Sequence, residues 1–123
     1  MIKKKIGTLK DLENINQFSR WVDEHDILIY KFDNKILGVS NICPHFGGPI
    51  GYHEIKFKDS KPVFTCLWHN LQYCVKTGQC VTQKNLSLRK YEVEVVNEEI
   101  FIYINKNKQN LSNISIKRTN KIS

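Results

Sequence analysis

Two short cysteine–histidine segments constrain this chain more than any other feature of its sequence. Cys43-Pro44-His45 and Cys66-Leu67-Trp68-His69 each contain one cysteine and one histidine, and twenty residues separate His45 from Cys66. In each segment the two side chains are close enough in sequence for one tight loop to direct both towards a common point. A fold that uses all four side chains together must therefore bring two loops face to face.

Thiolates and imidazoles are metal ligands, and two of each suit two kinds of site. They can form a tetrahedral zinc site, or they can hold an iron–sulfur cluster in which one iron keeps two thiolates and the other takes two imidazoles. Zinc-finger spacing groups the cysteines together and the histidines together, whereas both segments here are mixed. The mixed order favours the cluster, while zinc and a metal-free set of buried side chains stay as alternatives.

The residues beside the two segments favour close approach of the backbone to a bound group. Gly47-Gly48-Pro49 follows the first segment, and glycine backbone can approach inorganic sulfides and donate N–H groups to them. Asn70 follows His69 at a position where we expect a positive φ, which asparagine tolerates better than most residues. Both loops are therefore predicted to fit tightly around their ligand.

Cys-x-His followed by Cys-x-x-His resembles the signature of Rieske ferredoxins in ligand types, ligand order and both loops. The resemblance extends over residues 26–104. It implies one [2Fe-2S] cluster, with Cys43 and Cys66 on the buried iron and His45 and His69 on the outer iron.

Positions around the ligands depart from the high-potential members of this family. Those members carry an extra cysteine in each loop, and the two form a disulfide, whereas Gly48 and Trp68 stand at these positions here. Leu71 replaces a serine that donates to a cluster sulfide, and Tyr73 offers a hydroxyl towards a ligand sulfur. The resemblance thus implies a potential in the lower half of the Rieske range, about −150 mV upward. We expect Trp68 to shield the cluster from water.

The rest of the sequence predicts short strands. Residues 2–9 suit an edge strand, and three hairpins are predicted at 26–42, 54–66 and 91–104, each broken by polar turn residues. Residues 11–18 suggest a loop or one short helix. Short strands without a long amphipathic helix predict an all-β fold, a Rieske-like antiparallel sandwich with a small cluster-binding subdomain.

The length of 123 residues fits one domain. We expect a Rieske [2Fe-2S] domain over residues 1–105, its cluster-binding subdomain at about 43–82, and a basic, disordered tail over 106–123. The formal net charge of +7 lies at the ends, with +4 in the first ten residues and +5 after Asn105, so that residues 11–104 carry −2. That middle has no basic run interleaved with aromatic residues, and no nucleic-acid partner is predicted.

No stretch approaches the roughly 18 to 20 apolar residues that a membrane span requires, and the first residues lack the apolar core of a signal peptide. We expect a cytoplasmic monomer without a membrane partner.

Cys74 and Cys80 complete the set of four cysteines. If residues 76–78 form a three-residue hairpin loop, the two cysteines would pair across strands, near enough for a disulfide. A reducing cytosol favours two packed free thiols instead. Trp21 and Phe18 are assigned to the core.

The resemblance implies a one-electron carrier that receives electrons from a flavin reductase and passes them to a terminal oxygenase. The chain leaves no room for the mononuclear iron domain of such an oxygenase, so we expect an electron-transfer component and not an enzyme by itself. The alternatives are a small Rieske subunit of a nitrite-reductase-type or other redox complex, and a redox-sensing interaction protein that uses the basic tail. Five apolar residues are expected at the docking rim: Phe46, Pro49, Ile50, Leu67 and Leu71.

Overall fold

The computed structural model describes residues 1–45, 47–68 and 70–105. These residues contain strands and two short 3-10 helices but no α-helix, and none of their helices is long and apolar enough to cross a bilayer. The strands are β1 (Ile2–Thr8), β2 (Gln17–Val22), β3 (His25–Phe32), β4 (Lys35–Ser40), β5 (Lys56–Lys58), β6 (Lys61–Thr65), β7 (Gln72–Cys74), β8 (Lys90–Val96) and β9 (Glu99–Ile104); the 3-10 helices are Leu9–Leu12 and Ile50–Tyr52. The predicted tail at 106–123 lies outside the described residues.

The strands form two antiparallel sheets. The large sheet has the order β1-β9-β8-β4-β3-β2, and the small sheet has the order β5-β6-β7. Three tight turns each place two consecutive residues at positive φ, namely Asp33-Asn34, Asp59-Ser60 and Asn97-Glu98. This turn geometry matches the twist of the strands that it joins. The predicted edge strand, the three hairpins and the all-β fold class are confirmed.

Strand β3 is buried on both faces, and successive side chains along a strand point to opposite faces. Leu28 and Tyr30 lie in what we call the first core, which joins the large sheet to the small sheet. Ile27 and Ile29 lie in the second core, inside the curled large sheet. The first core also contains Val39, Cys43, Ile50, Phe64, Cys66, Leu71, Tyr73, Val75 and Leu88, and the second contains Ile6, Leu12, Ile100, Ile102 and Ile104.

Arg20 links the two edge strands of the large sheet. Its Nη1 donates to the Ile6 carbonyl oxygen at 2.8 Å and lies 3.5 Å from the Asp11 carboxylate, while the guanidinium covers the Phe18 ring at 4.7 Å. Sheet edges expose unpaired backbone groups, and this hydrogen bond satisfies one of them. The two edges of the curled sheet are thereby held together.

Of two expectations for the first thirty residues, one is confirmed in part and the other is wrong. The segment 11–18, expected to be a loop or one short helix, holds the end of the 3-10 helix Leu9–Leu12 and a loop over 13–16, as expected, and only its last two residues belong to β2, because pairing with β3 extends the chain from Gln17. Trp21 is 61% exposed and not in the core. It lies on the face of β2 opposite Phe18 and Val22, both of which pack against the second core.

Two neighbouring truncations in β3 test the division into two cores. Leu28→Ala and Ile29→Ala should each lower the free energy of unfolding by about 2–5 kcal/mol, since both side chains are fully buried. In metal-free protein, Leu28→Ala should also increase the alkylation rate of Cys43 and Cys66, which share its core, whereas Ile29→Ala should not. Equal thiol reactivity in the two variants would contradict the division.

Candidate metal centre

The first loop, residues 42–49, is closed at its base and tightly turned inside. Ile42 and Pro49 form an isolated antiparallel bridge. Within the loop, the Cys43 N–H donates to the Gly48 carbonyl at 2.9 Å, and the Gly47 N–H donates to the Cys43 carbonyl at 2.8 Å. Gly47 has φ +83°, a conformation that residues with a Cβ rarely adopt. The loop backbone therefore fixes the position of Cys43.

The second loop, residues 66–71, is closed in the same way and contacts the first. The Cys66 N–H donates to the Leu71 carbonyl at 2.8 Å, and the Leu67 N–H donates to the Pro49 carbonyl at 3.4 Å. Asn70 has φ +56°, so the positive φ predicted for it is confirmed. The two loops meet backbone to backbone, as a shared ligand set requires.

Cys43 and Cys66 are presented by separate loops and are both buried inside the first core. Each residue is only 1% exposed. Burial raises the pKa of the Cys66 thiol and Cys43 adds to the effect, although the Trp68 backbone N–H opposes it by donating to the sulfur. A metal held by these two thiols would displace their protons and take them as thiolate ligands.

Tyr73 lies against this thiol pair. Its Oη is 3.1 Å from Cys43 Sγ, and the residue is fully buried. Burial, followed by the proximity of Cys43, raises the pKa of Tyr73, so the phenol keeps its proton. A protonated phenol can donate to a thiolate sulfur, which is the contact expected for Tyr73 from the sequence.

Gly48 provides the space that the Cys66 sulfur occupies. A Cβ at position 48 would lie 2.7 Å from Cys66 Sγ and 3.1 Å from the Trp68 side chain. Trp68 itself is 49% exposed, so one part of it covers Gly48 and the rest faces solvent. That Trp68 shields a bound cluster stays a prediction.

Of the two predicted histidine ligands, the structure describes only His45. His45 is half-buried, and its Nδ1 atom is shielded from solvent. His69 lies outside the described residues, so its predicted role as a ligand stays a prediction. Among residues 1–45, 47–68 and 70–105, no three Cys, His, Asp or Glu side chains gather closely enough to hold one metal ion. A two-iron cluster needs only a pair of ligands at each iron, and the buried cysteine pair fits its two-thiolate side.

Cys74 and Cys80 do not face each other across strands. An isolated antiparallel bridge pairs Cys80 with Tyr73, the residue directly before Cys74. Neighbouring side chains on a strand point to opposite faces, so the Cys74 side chain points away from the face that Tyr73 and Cys80 share. The predicted cross-strand pairing is therefore wrong by one residue, and both cysteines are free thiols. Burial of Cys74 is outweighed by hydrogen bonds from Thr77 and by the charge of Lys76, which together lower the pKa of Cys74.

The expected docking rim is partly wrong. Ile50 and Leu71 are buried in the first core, because each lies where its loop returns to that core. Pro49 and Leu67 are half-buried, and Phe46 lies outside the described residues. Ile42, which is 39% exposed directly before Cys43, is not among the five expected rim residues, because an isoleucine at the end of a strand normally suggests core.

The fold and the paired-cysteine loops define a small all-β metal-binding domain. The model of the Rieske [2Fe-2S] domain family matches residues 3–96. The chain belongs to this family. A Rieske domain implies one [2Fe-2S] cluster, and the predicted family, fold class and cofactor are confirmed.

Several known proteins are similar to this chain. A human "Rieske domain-containing protein" is 23% identical over 78 residues, which are 63% of this chain and 50% of the human protein, so the chain spans about half the length of that relative. The ferredoxin of carbazole 1,9a-dioxygenase from Nocardioides aromaticivorans has a TM-score of 0.68 at 21% identity, covering 83% of this chain and 97% of that one. A putative NADH-dependent nitrite reductase small subunit from Mycobacterium tuberculosis has a TM-score of 0.69 at 12% identity, covering 82% and 93%. At these identities the two structures share the fold.

A single methyl group tests the contact between the two loops. Gly48→Ala should speed cluster loss to a chelator several-fold, since overpacking a tight site costs about 1–3 kcal/mol. Gly47→Asn is the matched control, because nothing lies within 4 Å of a Cβ there and asparagine tolerates the positive φ. Iron content and visible absorbance over time provide the measurement. Equal retention in both variants would contradict the contact.

Proposed function

We propose that this protein is a one-electron carrier in which Cys43 and Cys66 supply the thiolate ligands, and His45 and His69 the imidazole ligands, of the [2Fe-2S] cluster. When bound, such a cluster takes up and releases a single electron. The observation that carries the proposal is that two separate loops bury Cys43 and Cys66 in the same core. Residues 1–105 would form the Rieske domain, and residues 43–82 its cluster-binding subdomain.

The residues around the thiol pair suit them to hold extra negative charge. Tyr73 Oη lies 3.1 Å from the Cys43 sulfur and can donate to it, and the Trp68 backbone N–H acts to lower the pKa of the Cys66 thiol. Hydrogen bonds to ligand sulfurs stabilise the more negative, reduced form. Leu71 has no hydroxyl and makes no such contribution with its side chain, which supports a potential below that of the high-potential members.

The solvent-facing side of the loops suits a transient protein contact. Ile42 in the first loop and Trp68 in the second are exposed apolar residues, and together with the half-buried His45 of the first loop we call them the docking surface. Weak electron-transfer encounters use small interfaces. We propose that a flavin reductase and a terminal oxygenase use this surface in turn, a role supported by the similarity to a dioxygenase ferredoxin.

The similarity to a nitrite reductase small subunit supports one alternative, a Rieske subunit in a complex of that type. Size-exclusion chromatography of the native protein from its source cells separates the two. A small, free electron carrier supports the first proposal, and stable co-elution with a larger reductase supports the alternative. The further alternative, a redox sensor that acts through the basic tail, depends on residues outside the described part of the chain.

Electron paramagnetic resonance tests the ligand set. Reduced protein should give a signal whose average g value lies below that of the free electron, as mixed Cys/His ligation of a [2Fe-2S] cluster implies. Cys43→Ala, Cys66→Ala, His45→Ala and His69→Ala should each abolish that signal, while Cys74→Ala and Cys80→Ala should keep it. A silent protein that binds one zinc ion would contradict the proposal, since zinc has no redox chemistry.

A redox titration tests the role of Tyr73. The wild-type midpoint should lie in the lower half of the Rieske range, and a value above about +200 mV would contradict this. Tyr73→Phe should lower the midpoint by tens of mV, because a net hydrogen bond of about 0.5–1.5 kcal/mol to the reduced form is lost. Tyr30→Phe is the matched control, since Tyr30 lies in the same core but donates to the Val75 carbonyl at 3.3 Å. Equal shifts in both variants would contradict a specific contact.

A further inference from the structure

Asn41 is a buried polar residue placed directly before the first loop. It is 6% exposed, and its backbone is bonded on both sides. Its N–H donates to the Asp26 carbonyl at 2.8 Å, and its carbonyl accepts from the Ile50 N–H at 2.8 Å. The backbone of Asn41 therefore joins the start of β3 to the end of the first loop.

The Asn41 side chain makes the same connection a second time. Its Nδ2 donates to Asp26 Oδ2 at 3.1 Å, and its Oδ1 accepts from the Gly51 N–H at 2.7 Å. One amide thus connects a carboxylate on β3 to the backbone that leaves the loop. Because an amide has a donor and an acceptor on opposite atoms, aspartate or leucine at this position could not make both bonds.

Gly51 shows that the close approach of Asn41 is built into the packing. A Cβ at position 51 would lie 2.7 Å from Leu28 Cδ1 and 3.0 Å from Asn41 Oδ1. From the other side, Gln17 Nε2 donates to the Gly51 carbonyl at 3.0 Å and to the His53 carbonyl at 2.9 Å. The segment after the first loop is therefore held between Asn41 and Gln17.

We propose that Asn41 is a positioning residue for the cluster, which holds Cys43 and His45 in ligating geometry by fixing both ends of the first loop. The inference rests on the proposed ligands. Those ligands lie on a loop, and their precision depends on what anchors the loop to the rigid strand β3. Gln17 fixes only the segment beyond the loop, whereas Asn41 connects its two ends.

The first test compares Asn41→Ala with Gln17→Ala. Asn41→Ala removes the side-chain hydrogen bonds that Asn41 makes to the Gly51 N–H and the Asp26 carboxylate. The free-energy cost of leaving these buried groups unsatisfied corresponds to roughly 5- to 100-fold faster cluster loss to a chelator. The remaining cluster should show altered g values and an altered midpoint. Gln17→Ala removes two hydrogen bonds from the neighbouring segment and should leave the g values and the midpoint unchanged.

A donor–acceptor exchange provides the second test. Asn41→Asp should weaken cluster retention, because two carboxylates then face each other. Adding Asp26→Asn lets the new amide at position 26 donate to the new carboxylate at position 41, which can still accept from Gly51. This double variant has the net charge of the wild type, and we expect it to recover the wild-type g values and most of the retention.

Three results would overturn the inference. The first is wild-type retention, g values and midpoint in Asn41→Ala. The second is a double variant no better than Asn41→Asp, and the third is a cluster loss that global unfolding of the variant, followed by circular dichroism, accounts for completely. Failure of the proposed function looks different, because wild-type protein would then bind no cluster or Cys43→Ala would keep it.

Discussion

The burial of β3 on both faces is the constraint on which the rest of the structure depends. Its four central residues, Ile27 to Tyr30, are all buried and alternate between the two cores. Each large side chain there contributes about 1.5–3 kcal/mol by leaving water, so a shift of the strand would cost free energy on both sides at once. The large sheet and the metal-binding loops are therefore fixed relative to one shared element. The first core therefore supports the fold and also contains the two cysteines of the candidate site.

Small residues and backbone hydrogen bonds determine how closely the two loops approach each other and the first core. A Cβ at position 48 would lie 2.7 Å from the Cys66 sulfur, and a Cβ at position 51 would lie 3.0 Å from the Asn41 side-chain oxygen. Glycine at both positions avoids these close contacts. The buried Tyr73 contacts the site through its hydroxyl, which lies 3.1 Å from the Cys43 sulfur. The site combines dry packing with a few directed hydrogen bonds, which is the combination that stabilises thiolates without admitting water.

The features that the sequence predicts well are local, and those that it misses depend on contacts between distant segments. The turn at Asp33-Asn34 and the positive φ of Asn70 follow from residue type and local position. That Cys43 and Cys66 belong to one site was predicted from the family resemblance and not from their spacing. Trp21 was misplaced because only its pairing with β3 reveals which face of β2 points outwards. The one-residue offset that puts Cys80 opposite Tyr73 and not Cys74 is set by the backbone hydrogen bonds of the turn. Asn41 gave no signal, since its partners Asp26 and Gly51 lie 15 and 10 residues away.

The distribution of burial also determines how an electron carrier of this shape would work. Tyr73 and Phe64 share the first core with the two cysteines and are buried. The two loops themselves are less covered, because Trp68 and Ile42 are exposed and His45 is half-buried two residues after the buried Cys43. Among the described residues, electron exchange would therefore be expected at this exposed part of the two loops. A donor and an acceptor that both need it cannot bind together, so the proposed carrier must release one partner before it meets the other, which favours weak and short-lived contacts over a permanent bridge.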